Sequence, residues 1–345
     1  MKPAAADNDA TVKLTRPTAS RARSPRAGWG IMAAGAMAVM AGIGTLGWVL
    51  WPHHDTRVAA IPAQPPKSAE PPASLLEFPI ESASEATIRR HVAANTTIFR
   101  LAANPNILVL DFASLRDQGL MLNRIGAFTE KAGLPHDRVL TDAALDKAIR
   151  DAGDTPETFY YGHDYSAAAL ARFFAAADRD RITLNPREES LRRLLRQEGW
   201  FVAGKQAGLI SIPRVGADAR VTADDRAAIL HHEVSHGEYF SNPAFAAHAR
   251  RFWTSALTPA EQDALRKFLR NEGYDTTQDD LVVNEAQAYL IFTHNPAFFA
   301  PATIGMTEPR RAELRALFMR DLPTAWLADQ TPPAHTADPS KRSSR

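Results

Sequence analysis

The chain of 345 residues carries 40 Lys and Arg against 39 Asp and Glu, and it has no cysteine. That length supports a core that folds without covalent staples, and the missing thiols exclude disulfides, thiolate nucleophiles and thiolate-bound zinc or iron–sulfur centres. A net charge of +1 with 23% charged residues argues against a dedicated nucleic-acid binder and against a globally disordered chain.

The first 27 residues form a basic leader, with Lys2, Lys13, Arg16, Arg21, Arg23 and Arg26 against Asp7 and Asp9. Residues 28–51 contain no charged side chain, with Trp29 at one end and Trp48 and Trp51 at the other. A helix of that length crosses a hydrocarbon core of about 30 Å, and amphipathic indole rings favour its two interfaces. The basic excess precedes the apolar run, so the expected orientation is a single-pass signal anchor with a cytoplasmic amino terminus and an extracytoplasmic remainder. The alternative is a signal peptide cleaved near Val58-Ala59-Ala60. Seven prolines in residues 52–79 read as an extended spacer, and residues 330–345 as a polar, disordered tail.

Residues 80–329 are expected to be globular, with a helical part over 80–205 and a catalytic part over 206–329. Helical periodicity dominates. Helices are expected over 84–103, 114–132, from Thr141, 166–177 and 187–198, with a buried strand at 107–112 and a strand or turn at 158–161. Leu209-Ile210-Ser211-Ile212 before Pro213 reads as a strand, placed at a sheet edge because proline cannot donate to a ladder. A helix capped at Thr222 follows, and then helices near 243–256, 259–271, 279–293 and 307–320. The expected class is mostly α with a small β-sheet.

Three of the 11 histidines, His231, His232 and His236, fall within six residues. His232-Glu233-x-x-His236 on a helix stacks two imidazoles one turn apart, so both reach one metal ion while Glu233 faces its open side. Apolar neighbours at Ile229, Leu230, Val234, Tyr239 and Phe240 place this helix in the interior, where a His–Glu–His group needs partners or a metal. For a third ligand, the position six residues after His236 is Asn242, which rules out a metzincin spacing. Glu285 is the best candidate, on one helix face with Ala288, Tyr289 and Phe292; His248 and His294 are the alternatives.

His232-Glu233-x-x-His236 followed by Asn284-Glu285-Ala286 resembles the gluzincin clan of zinc metallopeptidases. The resemblance covers these short motifs within about 80 residues and leaves 80–205 unaccounted for. It implies a zincin-like domain with Zn2+ on His232, His236 and Glu285, and Glu233 as general base in peptide hydrolysis. The 48 residues between His236 and Glu285 exceed the thermolysin-type gap and are closer to the gluzincin bacterial toxins. Where thermolysin-like enzymes carry an Asp that orients a ligating histidine, this chain has Tyr289, so the partner of His232 stays unassigned.

Tyr289 is the first choice to stabilise the oxyanion, ahead of Tyr239, His231, His294 and the Tyr160-Tyr161-Gly162-His163 segment. The Leu209–Ile212 edge is expected to pair with an extended peptide or protein substrate. Rival readings are an envelope scaffold or partner-binding domain with a structural metal, and a cell-wall amide hydrolase.

Overall fold

The computed structural model describes residues 78–329. The expected leader, membrane anchor and tail lie outside these residues, as does nearly all of the spacer. No described helix is long and apolar enough to cross a membrane.

Helices predominate, around a small mixed sheet of five strands. The strands are β1 (Ile80–Ala83), β2 (Thr97–Leu101), β3 (Ile107–Phe112), β4 (His163–Ser166) and β5 (Gly208–Pro213), in the spatial order β1-β2-β3-β5-β4. The β1–β2 and β3–β5 pairs are parallel; β2–β3 and β5–β4 are antiparallel. Four strands come from the expected helical part and β5 from the expected catalytic part, so the two parts share one sheet.

Both faces of this sheet are covered, because each strand alternates its apolar side chains between two cores. Phe99, Leu101, Ile107, Val109, Ile210 and Ile212 enter one core; Ile98, Leu108, Leu110, Phe112 and Leu209 enter the other. The second core is closed by α2 (Leu115–Thr129), α4 (Ala167–Arg179) and α5 (Pro186–Gln197). The first is closed by α6 (Ala223–Ser241), α7 (Pro243–Ser255), α8 (Pro259–Glu272), α9 (Asp279–Gln287) and α10 (Glu308–Arg320).

Two local expectations are corrected. Residues 84–103 are not one helix: α1 spans only Glu85–Arg90, and β2 follows. Ile98 and Phe99 point into opposite cores, a period of two that helical spacing cannot satisfy. Residues 209–212 are not an edge strand, since β5 is paired on both sides, by β3 and by β4. Pro213 is the last residue of β5, where its missing donor interrupts nothing further along the ladder.

Helix α6 starts at a capping box in which Thr222 and Asp225 satisfy each other's backbone donors. It lies against β5 at a glycine–glycine crossing: a Cβ on Gly208 would come within 2.9 Å of the Gly237 Cα. Arg226, fully buried, grips the Asp111 carboxylate of β3 through two bonds of 2.8 Å and donates to the carbonyls of Pro213 and Ile88. These contacts fix the helix over the sheet and set the facing of His232 and His236, about two and three turns further on.

Candidate metal centre

On α6, His232 and His236 stack as the four-residue spacing requires, with ring centroids 4.8 Å apart and Nε2 atoms 3.0 Å apart. Glu285 on α9 reaches the same point, its oxygens 3.7 Å from His236 Nε2 and 4.0 Å from His232 Nε2. A tetrahedron with bonds of ~2.1 Å has edges of ~3.4 Å, so the three separations approximate three edges around one ion. These three side chains form the one group of His, Asp and Glu among the described residues whose atoms converge so closely.

The polar groups around them fit a cation. The Thr293 hydroxyl donates to the Ala288 carbonyl at 3.0 Å and accepts from His232 Nδ1 at 2.6 Å. Nδ1 of His232 therefore carries the proton, leaving Nε2 bare toward Glu285. His236 presents Nδ1 to the Asp164 carboxylate of β4 at 3.9 Å. Burial keeps both imidazoles neutral, as ligation needs: His236 is held down at about 3, and His232 well below its usual range by burial and then by His236 and His231. Burial also pushes the Glu285 carboxyl well up, against a hydrogen bond from Tyr274. A divalent ion would reverse that cost by supplying the missing positive charge.

Glu233 lies beside this group, fully buried, and neither of its carboxyl oxygens has a hydrogen-bond partner. Burial raises its pKa well above the ordinary range, and Glu285 raises it further. The Gly162 backbone packs directly on it, so that a Cβ there would fall 1.9 Å from Oε1.

Tyr289 sits in a short π-helical turn, Ala288–Phe292, that continues α9. Its ring meets that of His232 edge to face at 4.8 Å, and its hydroxyl meets that of Tyr274. Burial, then Glu272 and Glu285, hold the phenol far from ionising, so it remains a hydrogen-bond donor.

Four of the alternatives are engaged elsewhere, whereas the Tyr160–His163 segment adjoins Glu233 through Gly162. Tyr239 donates to Asp280 at 2.6 Å, His231 pairs with Glu85 at 3.1 Å, His248 Nε2 meets the Phe318 carbonyl at 2.9 Å, and His294 meets Arg315 at 3.3 Å. Neither His248 nor His294 joins the converging group.

The comparisons add no relative: the chain matches no family model, no curated protein and no solved structure. The site therefore rests on its own geometry. A His232-His236-Glu285 group that could hold a metal ion is present in the fold.

Sequence reasoning missed Thr293, Asp164 and Tyr274. Thr293 is eight residues beyond Glu285, about 80° round a regular helix, and only the widened π turn carries it back to His232. Asp164 comes from a strand that periodicity did not reveal. Tyr274 is placed by an isolated antiparallel bridge to Lys131, which no local pattern encodes.

Next to Asp164, His163 is completely buried and accepts at Nδ1 from Ser211 Oγ at 2.9 Å and Gln118 Nε2 at 3.1 Å. Burial lowers its pKa from 6.5 to about 3. Between those values the unfolded chain binds a proton that the folded chain refuses, so stability falls as pH drops. Acidification from pH 7 to pH 5 is expected to remove about 2 kcal/mol through this residue alone. Urea titrations should give His163→Gln a shallower acid dependence than wild type; equal slopes would mean that the folded chain protonates this ring.

Proposed function

We propose that the protein is a membrane-anchored, extracytoplasmic zinc metallopeptidase of gluzincin type. The observation that carries the reading is the convergence of two imidazole nitrogens and a distant carboxylate beside an uncommitted buried glutamate. The donor set, two neutral imidazoles and one carboxylate at near-tetrahedral separations, suits zinc better than an oxygen-seeking calcium or magnesium ion. No fourth His, Asp or Glu among the described residues completes the group, which favours a catalytic over a closed structural centre.

His232, His236 and Glu285 would hold a zinc ion, which would supply Lewis acidity toward a peptide carbonyl and lower the pKa of water toward ~7. Glu233 takes the proton of the attacking water and delivers it to the leaving amine, which requires a carboxylate free of other hydrogen bonds. Tyr289 donates to the oxyanion that develops on the carbonyl. Thr293 keeps the His232 ring in its ligating tautomer, and Asp164 faces the outer nitrogen of His236. The role first given to residues 209–212 passes to β4, the terminal strand of the sheet and the neighbour of His236, as the edge for an extended peptide. The uncharged run 28–51 supplies the membrane anchor.

The complete burial of the centre favours a second reading, a partner-binding envelope domain with a structural metal. Metal analysis and proteolysis assays on the full chain separate the two. About one zinc per chain is expected, with hydrolysis of an unfolded protein substrate that stops on chelation and returns with zinc. Activity that survives complete zinc removal, or a Glu285→Ala chain that keeps its zinc, would remove the peptidase reading.

A further inference from the structure

His232, Glu233, His236 and Glu285 all have 0% of their surface in contact with solvent. The nearest cover over Glu233 is residues 152–162, which join α3 (Asp142–Asp151) to β4 and end at Gly162 on the Glu233 carboxyl. Only Tyr161 of this segment enters a main core, the first. Phe159 and Tyr160 pack with Ile149 and Leu145 of α3 in a small apolar cluster of their own.

The segment is seated on α2 by a fitted groove. Gly119, Asn123 and Gly126 follow one another at helical spacings of four and three, and so share a face. A Cβ at Gly119 would strike the Pro156 carbonyl at 2.5 Å, and one at Gly126 would strike the Tyr160 ring at 2.9 Å. Between them the Asn123 amide donates to the Pro156 carbonyl at 2.8 Å, and one turn before Leu122 the Gln118 amide donates to the Tyr161 carbonyl at 3.0 Å. The Lys131 ammonium lies over the Phe159 ring at 4.6 Å. A segment held by a private cluster of three buried residues, two side-chain amides and the single core contact of Tyr161 opens more readily than the cores beneath it.

We propose that α3 and residues 152–162 form a displaceable cover that controls access to the metal centre, keeping the site closed until the cover lifts from its groove on α2. The regulation of hydrolysis by this cover rests on the peptidase reading; the gating of access does not. Lifting the cover uncovers Glu233 while leaving α6 and α9, and with them the ligand geometry, in the first core.

The test uses the full chain, with two probes. One is the rate at which a soluble chelator extracts zinc; the other is the rate at which diethyl pyrocarbonate modifies His232 and His236 in metal-free protein, read by mass spectrometry. Phe159→Ala is expected to raise both rates at least about tenfold, and the milder Leu145→Ala to raise them less. Leu191→Ala, in the core on the other side of the sheet, serves as a control for general loss of stability.

Rates unchanged in Phe159→Ala, or raised equally by Leu191→Ala at matched loss of melting temperature, would overturn the proposal. If the chain takes up no zinc, the modification rates alone decide it. Faster access in Phe159→Ala with no peptide hydrolysis would uphold the cover and remove the peptidase reading.

Discussion

Glu233→Gln is expected to retain about one zinc per chain and to lose hydrolysis by a factor of roughly 10³ or more, close to the upper range for loss of a general base. The substitution preserves shape, so Gly162 still packs over the side chain, and it leaves all three ligands untouched. It also removes a carboxyl whose burial and proximity to Glu285 both oppose ionisation. The melting temperature should therefore stay the same or rise while activity disappears, the signature of a group kept for chemistry against the interest of stability. Glu285→Ala gives the contrasting outcome, losing zinc and hydrolysis together. Zinc content and initial rates measured on the same preparations check both, and an active Glu233→Gln chain would end the general-base assignment.

Arg226→Ala should destabilise the fold by about 3–5 kcal/mol, because it leaves the Asp111 carboxylate buried without its guanidinium partner. Asp111 retains only His91 Nδ1, at 2.7 Å, and the Pro213 and Ile88 carbonyls each lose a donor. For a domain of this size the loss corresponds to a fall in melting temperature of about 10 °C. Arg226→Met combined with Asp111→Leu should recover much of it, since an apolar pair of similar volume carries no desolvation cost. Thermal unfolding of the single and double variants measures the difference. A single variant within about 1 kcal/mol of wild type would show that this ion pair does not hold α6 to the sheet.

The ion pair also marks a boundary of what could be read from the chain alone. Arg226 and Asp111 are 115 positions apart and nothing local joins them. The capped start of α6 at Thr222 and the helix at Thr141 were legible, because side-chain capping is a matter of three or four consecutive residues. The helical weight of the chain and the strand at 107–112 were equally clear from hydrophobic spacing. Short strands such as β2 and β4 were not, since four or five residues buried on both faces carry no distinctive period. The position of β5 was misjudged because a proline at a strand's last residue and a proline at a sheet edge are identical in sequence.

The sequence by itself determined which residues are the candidate ligands. With no thiols, two imidazoles one helical turn apart and an acid set in an apolar stripe make a group that could hold a cation, and that follows from residue type and helix pitch. Only the tertiary structure decided which side chains surround that point: Thr293 through a π turn, Asp164 through a terminal strand, Tyr274 through a bridge to Lys131, and Gly162 as a cover over Glu233. Such partners meet across scores of residues, and their approach is fixed by how helices and sheet close on two shared cores rather than by any repeat within one segment.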